Sequence, residues 1–271
     1  MLAKQYRSSF AYKNGITNAF LCSFYRVATL GSGSGVAAII YLGEHGIEYG
    51  GGFGLYMIQY ALHKISIALF SAIFFVMNWE FMRNWFGDYA GLLAAGYALT
   101  LVITLGLFLF CCSNRFHHLI CRLLDFANQK FHGKFEIMAE EIKRQCMMLE
   151  DASNHLMKNK KVTTEVIFLC LLKCCFWYGI PYLLFKGVQF QGNPALSLSQ
   201  VLAITSLSVM LAAVIPSPAG IGSTEFVFTT LFAGIVGTGI AGSASLLYRF
   251  GTFVFPFLVG AVVVLVRHFK R

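Results

Sequence analysis

The chain has 271 residues, 57% of them hydrophobic and only 12% charged. A soluble domain of this size carries about 25% charged residues, so the composition excludes an ordinary soluble enzyme and requires an integral membrane protein. The formal net charge of +9 does not indicate a nucleic-acid partner, because the basic residues flank apolar runs, which is a topology signal rather than a binding stripe.

Residues 1–14 carry Lys4, Arg7 and Lys13 with no small-residue cleavage site after them, and they read as a cytoplasmic lead-in. Residues 15–41 are apolar but cut by Gly31-Ser-Gly-Ser-Gly35. That interruption predicts two half-helices around a glycine turn rather than one span. Residues 51–77 are long enough to cross a hydrocarbon core about 30 Å thick, and His63 and Lys64 fall at their middle. After a short segment, 78–88, a second span runs over 89–112.

Residues 113–161 differ in kind, with nine Lys or Arg against six Asp or Glu. Their apolar residues keep helical spacing: Phe116, Leu119, Ile120 and Leu123, then Met138, Ile142, Cys146, Leu149 and Leu156. Two amphipathic helices are expected on the cytoplasmic face, on the headgroups or against the bundle. Residues 163–185 span again, with Lys173 near the centre, and 189–194 form a polar turn. Residues 196–215 then run into Pro216-Ser-Pro-Ala-Gly-Ile-Gly-Ser-Thr-Glu225. Pro216 and Pro218 cannot donate backbone hydrogen bonds, and Gly220 and Gly222 admit dihedrals that other residues resist, so the helix must break there and restart near Ser223. Glu225 falls in the first turn of the restarted helix. A last span, 239–266, carries Arg249 and ends in a basic tail.

The eight cysteines show no paired zinc spacing. Cys111-Cys112 and Cys174-Cys175 read as apolar filler in a reduced setting, and neither a metal nor a cofactor is expected.

The three basic segments, 1–14, 113–161 and the tail, hold three, nine and three of the 21 Lys and Arg. Placing them in the cytoplasm puts both termini inside, and the rest follows by counting spans. Residues 15–41 must leave and re-enter on the cytoplasmic side, while 196–236 form a hairpin entered from outside. The expected fold is therefore an all-α, polytopic membrane bundle with two re-entrant or broken hairpins of opposite orientation. That is the pattern of an inverted-repeat transporter with its site between the hairpin tips.

Lys64, Lys173 and Arg249 each lie roughly ten or more residues from a span end, about 15 Å deep. A lysine stem reaches only roughly 6 Å, so these groups must face the protein interior. With Arg26 they make four cations against one carboxylate, Glu225, and the excess favours an anionic guest such as a phosphate-bearing lipid headgroup. The alternative for Glu225 and Arg249 is an ion pair that only locks two helices. His63 reads as a hydrogen-bonded interior histidine.

The broken motif, followed by Leu246-Leu-Tyr-Arg249 and then Pro256 and Gly260, resembles the Pro-x-Pro-Gly-Gly-x-Gly-x-x-Glu and Tyr-Arg signature of the lysylphosphatidylglycerol synthase transmembrane family. This is the flippase-like membrane domain of the multiple peptide resistance factor proteins. Ala219 stands where that family usually has glycine. Residues 28–35 are similar to its first glycine-rich turn.

The resemblance implies a single domain over 1–271 in a bacterial plasma membrane, carrying or presenting an anionic or aminoacylated phospholipid, with a part in antibiotic resistance. It implies headgroup or gating roles for Arg26, Lys64, Lys173, Glu225 and Arg249, and turns built on Gly31, Gly33, Gly35, Pro216, Pro218, Gly220 and Gly222. Full-length synthases add a soluble transferase domain, for which residues 113–161 are too short. Phosphatidylglycerol lysyltransferase activity, service to a separate synthase partner and self-association as a homo-oligomer are the competing expectations.

Overall fold

The computed structural model describes residues 1–130, 136–157, 159–187 and 196–269, and among these there is helix and no strand. The expected polar turn over 189–194 and the last two residues of the basic tail lie outside the described residues. Five helical stretches are long and apolar enough to cross a membrane: Tyr49–Met77, Trp79–Cys112, Lys160–Gly187, Pro218–Val236 and Thr238–Phe269.

A short helix, α1 (Ala3–Tyr6), precedes α2 (Tyr12–Ala28) and α3 (Gly33–Glu44). The N-terminal segment is docked rather than a loose lead-in. Leu2, Ala3 and Phe10 are buried, Arg7 donates to the His45 carbonyl, and the Gln5 carbonyl meets His155 Nε2 at 3.0 Å. Helix α4 (Tyr49–Met77) is the central post, about 44 Å long at 1.5 Å per residue. A short amphipathic helix, α5 (Trp79–Phe86), and a single 3-10 turn lead into α6 (Ala90–Cys112).

The basic segment forms the two expected helices, α7 (Asn114–Lys130) and α8 (Glu136–Met157), but they divide the two expected roles. Helix α8 buries Cys146, Leu149 and Leu156 and lies against α4. The approach is so close that a Cβ on Gly54 would stand 2.2 Å from that of Ala152. Helix α7 instead leaves Leu119 and Leu123 exposed beside Arg115, His118 and Arg122. These five positions share one stripe at helical spacing.

Helix α9 (Lys160–Gly187) accommodates Pro181 in its last turns, and α10 (Leu198–Ala212) begins at a capping box in which Ser197 and Gln200 satisfy each other's backbone N–H groups. Helix α10 is buried on every side, which its composition allows. Two of its serines return their hydroxyls to their own helix, Ser206 to the Ala203 carbonyl and Ser208 to that of Thr205, while the buried Thr205 hydroxyl has no partner. Helices α4, α6, α9 and α11 (Ser223–Val236) surround it, with the fully buried Phe228 and Phe232 of α11 filling the centre of the larger apolar core. A smaller core gathers α1, α3, the first half of α4, α8 and the ends of α6 and α9.

The last expected span contains an interruption just before Pro256. It is α12 (Thr238–Arg249), one π-helical turn over residues 250–254, and α13 (Phe255–Phe269). Its end packs along α2, where a Cβ on Gly260 would lie 2.4 Å from the Phe20 carbonyl oxygen. Glycine is required by that backbone-to-backbone approach.

Candidate functional site

The two interrupted helices meet at their turns. Between α2 and α3 the chain reverses over four residues, with Leu30 at φ 53° and Gly31 at φ 111°. Thr29 ties the reversal together, its hydroxyl donating to the Tyr25 carbonyl at 2.6 Å and accepting from the Gly33 N–H at 2.6 Å. A Cβ on Gly33 would collide with that threonine at 2.7 Å, and one on Gly35 would press on the Tyr56 ring at 3.0 Å.

Between α10 and α11 the break is a 3-10 turn over Pro218–Gly220, with Ala219, Gly220 and Gly222 at φ of 54°, 75° and 85°. Pro216 and Pro218 end the incoming helix as expected, and the Ser217 and Ser223 hydroxyls close the turn at 2.6 Å. Gly31 sits against Ala219, whose nitrogen lies 3.5 Å from where its Cβ would be. Arg26 Nη2 reaches the Ala219 carbonyl at 3.5 Å.

Glu225 occupies the third position of α11 and caps it. One carboxylate oxygen accepts from the Gly222 N–H at 2.8 Å, the other from Arg249 Nε at 2.6 Å. Arg249 Nη2 donates further to the Gly220 carbonyl at 3.2 Å, and its guanidinium lies 4.3 Å above the Phe253 ring. The ion pair is mostly enclosed, with Arg249 12% and Glu225 28% exposed. It fastens α12 to the broken turn by two side-chain routes at once.

The structure brings the remaining predicted cations to the same region. Arg26 on α2 lies within electrostatic reach of Arg249, Tyr56 and Tyr60. Lys64 on α4 and Lys173 on α9 each lie within reach of Arg26. Four helices thus contribute one cation each. Arg26 and Lys173 both keep accessible surface. Among the described residues neither lysine has a hydrogen-bonding oxygen partner. Lys64 faces the Tyr60 ring at 5.5 Å and Lys173 the Trp177 ring at 4.3 Å.

His63 corrects an expectation. It lies near Lys64, Lys173 and Arg26, and its Nδ1 is buried without a hydrogen-bond partner.

The aromatic companions of the cations escaped sequence reasoning, although a signal was present. Tyr60 stands four residues before Lys64, Trp177 four after Lys173 and Phe253 four after Arg249, the spacing at which helical side chains stack. Tyr56, hydrogen-bonded to Ser34 at 3.2 Å, joins α4 to the first turn and lies one further turn back on the same face.

Chemically, the arrangement offers several guanidinium and ammonium donors in one region, three of them facing aromatic rings, close to two turns that hold left-handed residues. No cluster of three or more His, Cys, Asp or Glu able to hold a metal occurs among the described residues. No curated protein and no solved structure matches the chain. The family model described as Lysylphosphatidylglycerol synthase TM region matches residues 1–260, a stretch that includes both turns and all four cations, and the chain belongs to that family of membrane proteins.

Proposed function

We propose that this protein translocates or presents an anionic or aminoacylated phospholipid, with the headgroup received between the two helix breaks. The observation that carries the reading is the meeting of the Gly31 and Ala219 turns beside Arg26, Lys64, Lys173 and Arg249. Cations at such depth are costly against lipid and stable against a phosphate. In this reading Arg26, Lys64 and Lys173 bind the headgroup, while Glu225 and Arg249 gate it by holding the second turn.

The element lengths support hairpins that enter and leave by one face. Helices α3 and α10 have 12 and 15 residues, about 18 and 22 Å, each short of a core about 30 Å thick. The two hairpins then form an inverted pair within a single domain over residues 1–271, with both termini and the α7–α8 pair on the cytoplasmic side of the plasma membrane. Irregular backbone at membrane depth is tolerated where it lines a polar space, and the turns meet that condition.

The test is leaflet exchange by the purified protein in vesicles, using anionic and aminoacylated lipids with a quenchable headgroup label. Exchange above that of protein-free vesicles, lost in Lys64→Ala and Lys173→Ala variants that remain folded, is the expected result. Exchange that survives both substitutions excludes the headgroup site. Cysteines placed at Ser32 and at Leu196 should label from opposite sides, and labelling from one side removes the inverted pair.

A further inference from the structure

The reading above leaves open two lipid classes of opposite charge. Phosphatidylglycerol carries a single phosphate and is an anion. Its lysyl ester adds two ammonium groups, so the same headgroup becomes a net cation. A site for the ester needs acceptors for ammonium as well as donors for phosphate.

Resident groups already engage Glu225 and several carbonyl acceptors of the second turn. Both oxygens of Glu225 are engaged, by the Gly222 N–H and by Arg249. The backbone carbonyls of the broken turn, the other natural ligands for a cation, are taken as well. Ala219 accepts from Arg26 and Gly220 from Arg249, while Ser217 and Pro218 accept from the Gly220 and Ile221 N–H groups. The rings on which an ammonium would rest are each faced by a resident cation: Phe253 by Arg249, Tyr60 by Lys64 and Trp177 by Lys173. What remains unspent is chiefly donor capacity, on the Lys64 and Lys173 ammonium groups and on most of the Arg26 guanidinium, together with the unpartnered Nδ1 of the neighbouring His63.

From this we infer that the site selects a net-anionic phospholipid headgroup and disfavours the aminoacylated one. The inference rests on the headgroup reading of these residues and narrows it. Phosphate oxygens would be held by Arg26, Lys64 and Lys173, with the Glu225–Arg249 pair serving as a fixed wall. An aminoacyl extension would meet the like charge of these same three groups.

Two measurements on the full chain separate this inference from the transport reading. The first is binding: protein in zwitterionic micelles is titrated with phosphatidylglycerol or with its lysyl ester, and the rise in unfolding temperature is followed. Phosphatidylglycerol should act at a concentration at least tenfold below that of the ester, and an ester that stabilises equally or better overturns the inference. Lys173→Glu, at an exposed position, should narrow the ratio by threefold or more. Arg122→Glu on α7, far along the chain from the site, should leave it unchanged. If both variants narrow it alike, the preference belongs to the overall charge and the inference falls. The second measurement is leaflet exchange of the same two lipids carrying a fluorescent chain. A binding preference without exchange of either lipid removes the transport reading and keeps the selectivity, whereas faster exchange of the ester removes the selectivity and keeps transport.

Discussion

Replacing Glu225 by glutamine tests whether the ion pair holds the second turn. The carboxylate accepts two hydrogen bonds, from the Gly222 N–H at 2.8 Å and from Arg249 Nε at 2.6 Å. Glutamine offers one oxygen and turns an NH2 toward the other donor, so it can cap the helix or receive the arginine but not both. The lost bond is charge-assisted and worth about 1.5–3 kcal/mol. With Glu225 28% exposed, solvent screens part of it, and a net loss of about 2 kcal/mol is expected. For a chain of this size that corresponds to a fall in unfolding temperature of roughly 4–8 °C.

The fall is measurable in detergent with a thiol-reactive fluorogenic dye, because Cys111, Cys146 and Cys174 are buried free thiols that become reactive on unfolding. Arg249→Met supplies the second arm of a double-mutant cycle. In that background Glu225→Gln should cost clearly less, since only the helix cap remains to be affected. A single variant that unfolds within about 1 °C of the parent, or an equal cost in both backgrounds, refutes the assignment of the junction to this pair.

Ala219→Gly should raise stability by about 1 kcal/mol, because Ala219 sits at φ 54° in a left-handed region that costs a residue with a Cβ about that much; Ala219→Val should lower it, and both are read by the same dye assay. Gly260→Ala places a methyl group 2.4 Å from the Phe20 carbonyl oxygen, forcing α13 from α2 at a cost of about 1–3 kcal/mol. The check is a lowered unfolding temperature together with faster proteolysis near the N-terminus. In single-cysteine variants at pH 7, Cys146 should react with maleimide roughly tenfold more slowly than Cys121. Burial pushes the Cys146 thiol up from its ordinary value, with Cys121 beside it adding to the rise, and Cys146 is the more enclosed of the two. Comparable labelling rates would show that the α7–α8 pair opens freely.

Apolar runs and their breakers were legible because they act locally. The Gly31-Ser-Gly-Ser-Gly35 interruption and the paired prolines stop helices wherever they stand, and the observed helices end beside them. The placement of Lys64, Lys173 and Arg249 well inside long apolar helical stretches was legible for the same reason. The π-helical turn after Arg249 has a local signal that the expectation of one unbroken span does not use: Pro256 has no N–H for the Thr252 carbonyl and its ring crowds it, which loosens the helix in the turn before it. The burial of α8 and exposure of α7 were hidden, because both helices carry the same amphipathic period and only the approach at Gly54 decides which of them packs on α4.

Ala219 marks the boundary between these two kinds of information. Its place in a motif that usually has glycine is a sequence fact, but the reason is conformational. The residue must turn left-handed so that its carbonyl can accept from Arg26 while its nitrogen rests on Gly31. Leu30 in the opposing turn takes the same unfavourable conformation at φ 53°. Each turn therefore holds a non-glycine residue in a conformation that costs about 1–2 kcal/mol. Each conformation is closed within its own hairpin: the Gly31 N–H donates to the Arg26 carbonyl at 2.7 Å around Leu30, and the Gly220 and Ile221 N–H groups donate to the Ser217 and Pro218 carbonyls around Ala219. Separating the turns would remove the Arg26 to Ala219 contact and leave both left-handed residues in place, so the strain is a property of each turn and not of their junction.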